Sequence, residues 1–288
     1  MSATTTGLAA VAGNFGRDMD ECLGSIEQHV RDARAQGVQL IAFPEACLGG
    51  YLSTLGGDGN RPDSTPPLLD LDGPELRRVA ELAEEMTVVV GFCESDGTSR
   101  YNTAAAVGAD GVIGVHRKVH QPLGENLYYE AGDAFHAVDT PVGRVGMLIC
   151  YDKAFPEAAR ALALDGAEIV ACISAWPAAR TASAAALEDD RWLHRFNLFD
   201  QARALENQIV WVASNQAGTF GSLRFVGSAK VVGPGGDVIA STGVAAGMAV
   251  AHVDVDDLLA TARRSMFHLR DRRPDLYPVP DLEGSAHV

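Results

Sequence analysis

The stretch GMLICYDKAFPE, residues 146–157, leads from an apolar run into a helix and places a cysteine at the junction. Residues 145–149 are continuously apolar, which predicts a buried strand that ends at Cys150. Pro156 suits the first position of a helix, and the pattern predicts that this helix runs to residue 164. Strands that alternate with helices build α/β proteins. The stretch therefore predicts an α/β fold with a thiol at a strand end.

The same alternation continues on both sides of this stretch. Apolar residues at helical spacing predict helices over 18–35, 74–86 and 190–206. Apolar runs predict strands over 38–43, 87–92, 169–173, 208–213, 228–232, 237–240 and 248–253. Asp110-Gly111 predicts a tight turn between antiparallel strands at 104–107 and 112–116. Helices are thus expected to cover the outer faces of sheets, in one domain that spans residues 1–288.

Composition and charge exclude several classes of function. Acidic residues number 38 against 23 basic ones, and the formal net charge of -15 repels nucleic acid and anionic membrane surfaces. No run approaches the roughly 18 apolar residues of a membrane-spanning helix. The N-terminus lacks the charged and apolar regions of a secretory signal. We therefore expect a cytoplasmic protein that binds neither nucleic acid nor membrane.

The cysteines do not form a disulfide or metal pattern. Their number is odd and no two are closely spaced, so each is by default a small buried hydrophobe. The five are Cys22, Cys47, Cys93, Cys150 and Cys172. No zinc motif is present, and the glycine-rich segments lack the strand and helix that flank a nucleotide cradle. Neither a metal nor a cofactor is expected.

Three reactive side chains stand at or just beyond the ends of predicted strands: Glu45, Lys118 and Cys150. Ligands of α/β sheets bind at the carboxyl ends of strands, so these groups are expected to share one site. A cysteine is mostly protonated at neutral pH and needs a base or a positive neighbour to act as a nucleophile. Glu45 is suited to take the proton, and Lys118 to stabilise the thiolate and an oxyanion.

Each of these residues also has a structural explanation when taken alone. Glu45 would be a capping carboxylate, Lys118 a solvated hairpin charge and Cys150 a buried strand thiol. His116 and His120 bracket Lys118, but no cysteine-protease context accompanies them, so supporting positions in the hairpin are more consistent with the pattern. The combination of the three reactive residues favours catalysis.

The order of these motifs resembles that of the nitrilase or carbon–nitrogen hydrolase superfamily. The resemblance rests on FPEA (43–46), HRKVH (116–120) and GMLICYDKAFPE (146–157), and it extends to RALENQ (203–208), ASNQAG (213–218) and DRRPDLY (271–277). It implies a four-layer α-β-β-α sandwich, nitrilase-like. It also implies that Glu45 is the general base, that Cys150 is the nucleophile, and that Lys118 and the N–H of Tyr151 bind the oxyanion.

The resemblance also implies a second glutamate between the lysine motif and an aromatic-x-Pro-Gly element. Here YEAG (129–132) takes the place of that element, with Ala131 where proline is usual. Glu125 fits the second position, and Glu130 is a nearby competitor. The family's frequent dimers or larger assemblies make the tail at 266–288 a predicted homo-oligomer interface.

The segment after the nucleophile distinguishes branches of the superfamily. Cys150-Tyr151-Asp152 followed by Phe155-Pro156-Glu157 resembles amidases and carbamoylases, which predicts hydrolysis of a small amide or N-carbamoyl amine through a thioester. A nitrilase, or a catalytically silent member that binds a metabolite or partner, is the alternative. Pocket-lining residues are predicted near the strand ends: Tyr51, Tyr151, Trp176 and Pro177. The segment 52–67 is either a pocket rim or an inert surface loop.

Overall fold

A computed structural model describes residues 5–55 and 65–277. Within these residues the strands and α-helices follow one another in this order: β1 (Thr6–Gly13), α1 (Met19–Ala35), β2 (Leu40–Ala42), β3 (Leu68–Leu69), α2 (Pro74–Ala83), β4 (Thr87–Ser95), β5 (Arg100–Gly108), β6 (Gly111–Arg117), β7 (Val138–Thr140), β8 (Gly143–Ile149), α3 (Pro156–Leu164), β9 (Ile169–Ser174), α4 (Arg191–Asn207), β10 (Val210–Gln216), β11 (Thr219–Phe220), β12 (Leu223–Arg224), β13 (Lys230–Val232), β14 (Val238–Ser241), β15 (Gly247–Val253) and α5 (Val255–Ser265).

Thirteen of the described strands form one sheet in two halves, and β11 and β12 form a separate two-stranded sheet. One half has the spatial order β6-β5-β4-β2-β1-β15, with β3 beside β4, and the other has the order β7-β8-β9-β10-β13-β14. The halves are joined where β1 and β10 pair in parallel, Ala12 with Asn215 and Gly13 with Gln216. The inner strands of each half run parallel, whereas β5 and β6 form the antiparallel pair that Asp110-Gly111 predicts.

Alternate side chains along each strand face different layers. Ala10 of β1 and Met147 of β8 belong to one apolar core between the sheet halves. Ala9, the neighbour of Ala10, packs in the core with α1 and α2. Leu148, the neighbour of Met147, packs in the core with α3 and α4. Two helical layers therefore enclose two sheet layers, and the predicted α-β-β-α sandwich is confirmed.

All four predicted helices are present, and three of them have shifted ends. Asp18 and Asp190 cap α1 and α4 by accepting hydrogen bonds from backbone N–H groups at the start of each helix. The predicted helix over 74–86 ends at Ala83, because Glu84 adopts a positive φ of 49° that breaks the helical path. None of the helices in residues 5–55 and 65–277 is long and apolar enough to cross a membrane.

The strand β1 is missing from the sequence-based prediction, although β2, β10 and β15 all pair with it. Its sequence, TGLAAVAG, is rich in glycine and alanine, which have low β propensity. Gly7 is required by a close approach, since a Cβ there would lie 2.3 Å from the carbonyl oxygen of Gly37. Small side chains let β1 lie in the middle of the sheet, and they also remove the pattern that reveals a strand.

Candidate active site

The three reactive residues of the sequence lie where strands of both sheet halves end. Glu45 lies shortly beyond β2, Lys118 directly follows β6, and Cys150 directly follows β8. The first two belong to one sheet half and Cys150 to the other. The face-to-face packing of the halves therefore brings the carboxylate and the amine toward the thiol.

Lys118 joins two carboxylates inside the protein. Its Nζ lies 2.8 Å from Oε1 of Glu45 and 2.7 Å from Oε1 of Glu125, and all three side chains are fully buried. Burial alone lowers the pKa of Lys118, but the charges of Glu125 and Glu45 outweigh it and hold that pKa above its ordinary value. The ammonium therefore stays charged. Its full burial excludes the interpretation of Lys118 as a solvated hairpin residue.

Glu45 is held at both oxygens. Its Oε1 also accepts a hydrogen bond from Nδ2 of Asn102 at 2.7 Å, and its Oε2 accepts one from the backbone N–H of Ala175 at 2.6 Å. Nε2 of Gln216 donates to the Glu45 carbonyl at 3.1 Å. The carboxylate thus has one orientation, and it does not act as a helix cap. Asn102, Ala175 and Gln216 were not predicted from the sequence.

Glu125 lies in a short 3-10 helix, 125–127, and its Oε1 also accepts a hydrogen bond from the hydroxyl of Tyr51. Its other oxygen, Oε2, is buried without a partner among the described residues. Burial raises the pKa of Glu125 to about 7, with Lys118 opposing the rise and Glu45 adding to it. Glu130, the competing glutamate, is exposed. Of the two, Glu125 is the one that contacts Lys118.

Cys150 begins a second 3-10 helix, 150–154, and only 4% of it is exposed. Its φ of 50° lies in the left-handed region, which is uncommon for residues other than glycine. Burial raises the pKa of the thiol well above its ordinary value, and Glu45 and Glu125 raise it further, whereas Lys118 and Lys153 lower it. The resting residue is a thiol, so attack requires a base.

Asp152 connects the turn that carries Cys150 to β6 and to the segment that follows it. Its carboxylate lies 2.9 Å from Nε2 of His116 and 2.9 Å from Nδ1 of His120, and it accepts the backbone N–H of Ile149 at 3.1 Å. It also accepts the backbone N–H of His120 at 2.9 Å. Burial alone would raise the pKa of Asp152, but the two histidines hold it below its usual range. Both histidines therefore support this turn rather than pair with the thiol.

A cavity of about 500 Å³ opens above Cys150. Its wall is mostly apolar, and it includes all four pocket-lining residues predicted from the sequence. The lining residues are Tyr51, Leu55, Pro122, Leu123, Cys150, Tyr151, Ala154, Ala175, Trp176, Pro177, Trp192, Arg195 and Phe199. Leu55 is the contribution of the predicted rim segment, whose residues 56–64 lie outside the described residues. The volume is that of a site for a small molecule.

Among the described residues that line the cavity, Arg195 is the charged one. It lies on α4 between Trp192 and Phe199, which share its face of the helix at spacings of three and four residues. Arg195 is exposed, and it makes no hydrogen bond or ion pair within the described parts of the chain. The cavity therefore has an apolar wall with one guanidinium available.

Comparison of the sequence with protein families identifies the family of this chain. The family model described as carbon-nitrogen hydrolase matches residues 7–263, which is most of the chain. The chain belongs to the carbon–nitrogen hydrolase family. It is thus a hydrolase that acts on non-peptide C–N bonds of small molecules.

Individual relatives of this carbon–nitrogen hydrolase cover nearly its whole length. N-carbamoylputrescine amidase from Arabidopsis thaliana is 32% identical over 282 residues, 91% of this chain and 90% of the relative. A citrullinase from Francisella tularensis is 31% identical over 283 residues, 94% of this chain and 96% of the relative. The crystal structure of a carbon-nitrogen hydrolase from Helicobacter pylori superposes with a TM-score of 0.82 at 23% identity, covering 96% of this chain and 97% of that one.

Proposed function

We propose that this carbon–nitrogen hydrolase cleaves a small amide or N-carbamoyl amine, with Cys150 as nucleophile, Glu45 as general base and Lys118 as oxyanion donor. The observation that carries the proposal is the fully buried Lys118, which binds two glutamates beside the cavity that contains Cys150. Burying these three charges costs desolvation free energy that their pairing often does not repay, so stability alone does not account for a lysine at this depth.

The first half of the reaction forms a thioester. The Sγ–H of Cys150 gives its proton to Glu45 while the sulfur attacks the carbonyl carbon of the substrate. An ammonium has three N–H donors, and Glu45 and Glu125 accept two of those of Lys118, so the third is available to the developing oxyanion. The backbone N–H of Tyr151 is the second donor. Glu45 then protonates the departing nitrogen, and ammonia or an amine leaves.

The second half returns the enzyme to its starting state. Water gives a proton to Glu45 and attacks the thioester carbon, and the sulfur departs and regains its proton from Glu45. An amide substrate yields a carboxylic acid, and an N-carbamoyl substrate, which loses its amine in the first half, yields a carbamate that breaks down to carbon dioxide and ammonia. Oε2 of Glu125, which has no partner among the described residues, is suited to accept an N–H of the substrate and hold its carbonyl toward Cys150.

The names of the relatives support the carbamoyl branch. One acts by name on N-carbamoylputrescine and another on citrulline, and both compounds end in a carbamoylated nitrogen on an alkyl chain. The cavity has an apolar wall that fits such a chain. The charge of Arg195 on this wall favours a substrate whose far end is negative, such as an N-carbamoyl amino acid, over one that ends in an ammonium.

Release of ammonia from three substrate types tests this function: short amides, N-carbamoyl amines with and without a carboxylate, and short nitriles. We expect turnover of amides or carbamoyl compounds, and loss of turnover in Cys150→Ala. Cys47→Ala is the matched control, because Cys47 is fully buried but lies outside the cavity wall. Turnover of nitriles alone would assign a nitrilase, and a silent protein across the panel would favour a binding role.

Retention of full turnover by Cys150→Ala would contradict the mechanism itself. Mass spectrometry supplies a second reading, since the proposal requires the acyl adduct to appear on the peptide that contains Cys150. An adduct on any of the other four cysteines would assign the nucleophile elsewhere.

A further inference from the structure

A second cluster of buried charges lies behind the turn that carries Cys150. Nζ of Lys153 lies 2.7 Å from Oδ1 of Asp200, and Nζ of Lys230 lies 2.7 Å from Oδ2 of the same carboxylate. Nε1 of Trp211 donates to Oδ1 of Asp200 at 3.0 Å. Lys153 and Asp200 are fully buried, and Lys230 is 2% exposed.

This cluster holds more positive than negative charge. Two ammonium groups share one carboxylate, which leaves one excess positive charge in the interior. Both ammoniums also lie over the ring of Phe196, with Nζ of Lys153 at 3.1 Å and Nζ of Lys230 at 4.2 Å from the ring centroid. Burial lowers the pKa of Lys230 to about 8 despite Asp200. Keeping an excess cation here costs folding free energy, which indicates that the cation has a role other than stabilising the fold.

Lys153 is the member of this cluster closest in sequence to the nucleophile. It belongs to the same 3-10 helix, 150–154, that begins at Cys150. Arg203 fixes the end of this helix by donating from Nε to the carbonyl of Lys153 at 2.8 Å and from Nη2 to the carbonyl of Ala154 at 3.1 Å. The ring of Trp176, which lines the cavity, lies 5.4 Å from Nζ of Lys153. The ammonium therefore lies near an aromatic side chain of the cavity wall.

The candidate active site contains more negative than positive side chains. Glu45, Glu125 and Lys118 together carry two negative charges and one positive charge when all are ionised. The reaction places further negative charge on Cys150 and then on the oxyanion. Lys118 and Lys153 are the two cations that lower the pKa of the Cys150 thiol against burial and the glutamates. Cys172, a neighbouring thiol, stays neutral because burial raises its pKa to about 12.

We propose that Lys153 is a positioning residue whose ammonium, held behind the nucleophile by Asp200 and backed by Lys230, stabilises the negative charge that forms at Cys150. The proposal rests on the proposed function of Cys150. Lys153 does not touch the substrate; it acts through the turn and through its field. This is an electrostatic contribution from a preorganised, fully buried charge, which acts strongly because the protein interior screens it less than water does.

The test compares Lys153→Met with Lys230→Met. Both variants remove one positive charge from the cluster and leave Asp200 with one lysine and Trp211, so neither leaves a buried charge unpaired. They differ in whether the missing ammonium belongs to the nucleophile's helix or to β13. The measurements are kcat, KM and the pH dependence of iodoacetamide alkylation at the Cys150 peptide, with mass spectrometry as the readout.

We expect Lys153→Met to lower kcat by about 10- to 100-fold with little change in KM, and to move the midpoint of alkylation up by about one pH unit. Lys230→Met should change kcat and the alkylation midpoint less. Lys153→Arg, which keeps the charge, should show most of the alkylation profile of the unmodified enzyme. If Lys153→Met does not fold, Lys153→Gln serves as the second variant, because its neutral amide still donates to Asp200. It should change kcat and the alkylation midpoint in the same direction.

Equal effects of the two methionine variants, or an alkylation profile unaltered in Lys153→Met, would overturn the proposal. Alkylation does not depend on turnover of any substrate. A failure of the proposed hydrolytic function, seen as turnover retained by Cys150→Ala, is therefore distinguishable from a failure of this inference.

Discussion

Nζ of Lys118 lies 2.8 Å from Oε1 of Glu45, and both side chains are fully buried. Because Lys118 also binds Glu125, its removal would leave two carboxylates facing each other without a counter-ion. We expect Lys118→Met to lower turnover by about 10³-fold and the free energy of unfolding by roughly 3–5 kcal/mol. Ammonia release and urea unfolding would measure the two effects. Turnover within tenfold of the unmodified enzyme would exclude Lys118 from the mechanism.

Replacing Glu45 tests its proposed role as the base. Glu45→Gln keeps the size of the side chain but cannot accept the thiol proton, so kcat should fall by about 10²- to 10⁴-fold while substrate binding persists. The matched control is Glu94→Gln. Glu94 is as deeply buried, but it pairs with Arg117 and Thr103, whereas Glu45 pairs with Lys118. A similar loss of kcat in both variants would mean that burial of a carboxylate, not its position, explains the effect.

The carboxylate of Asp152 should make the fold sensitive to acid. Its pKa is held below the ordinary value by His116 and His120, so its stabilising contribution is present above an ordinary aspartate pKa of about 4. That contribution is lost as the pH falls from this value toward the lower pKa of the folded state. Asp152→Asn should therefore lower the free energy of unfolding at pH 7 by about 2–4 kcal/mol.

Urea unfolding at pH 7 and at successively lower pH values checks this effect. The difference between Asp152→Asn and the unmodified protein should shrink below about pH 4, where the wild-type carboxylate begins to lose its advantage. A difference that stayed constant down to pH 3 would show that hydrogen-bond geometry, not ionisation, accounts for the role of Asp152.

The elements that carry Glu45, Lys118 and Cys150 could be predicted from the sequence because each follows an ordinary apolar strand. The predicted helix over 156–164 agrees with α3, and the predicted strand over 169–173 lies within β9. The rule that ligands bind at the carboxyl ends of strands predicted their common location, whereas the meeting itself depends on the face-to-face packing of the two sheet halves. The local pattern and this topological rule together account for what the sequence revealed.

The remaining parts of the site depend on contacts that leave no local pattern. The N–H of Ala175 binds Glu45 across 130 positions of sequence, and its methyl side chain carries no sign of that role. Asp200 looks like a solvated residue of α4, yet it is fully buried against Lys153, 47 positions away. Buried charges interrupt the apolar periodicity that marks a core face, so sequence patterns assign them to the surface.

Arg195 should decide which charge the preferred substrate carries. Its guanidinium is the charged group among the described residues of the cavity wall, so a substrate carboxylate would gain a charge-assisted hydrogen bond there. We expect the unmodified enzyme to have a higher kcat/KM for an N-carbamoyl amino acid than for the matching N-carbamoyl amine. Arg195→Ala should lower kcat/KM for the carboxylate by about 10- to 100-fold, equivalent to the 1.5–3 kcal/mol of a hydrogen bond to a charged group.

The same substitution should leave the uncharged N-carbamoyl amine nearly unaffected, because that substrate has no partner for the guanidinium. Arg191→Ala is the matched control, since Arg191 lies on the same helix but bonds to Thr181 and does not line the cavity. High salt should weaken the preference for the carboxylate in the unmodified enzyme but not in Arg195→Ala, because an exposed guanidinium is screened. Equal losses for both substrates in Arg195→Ala would assign this residue to the shape of the wall rather than to charge recognition.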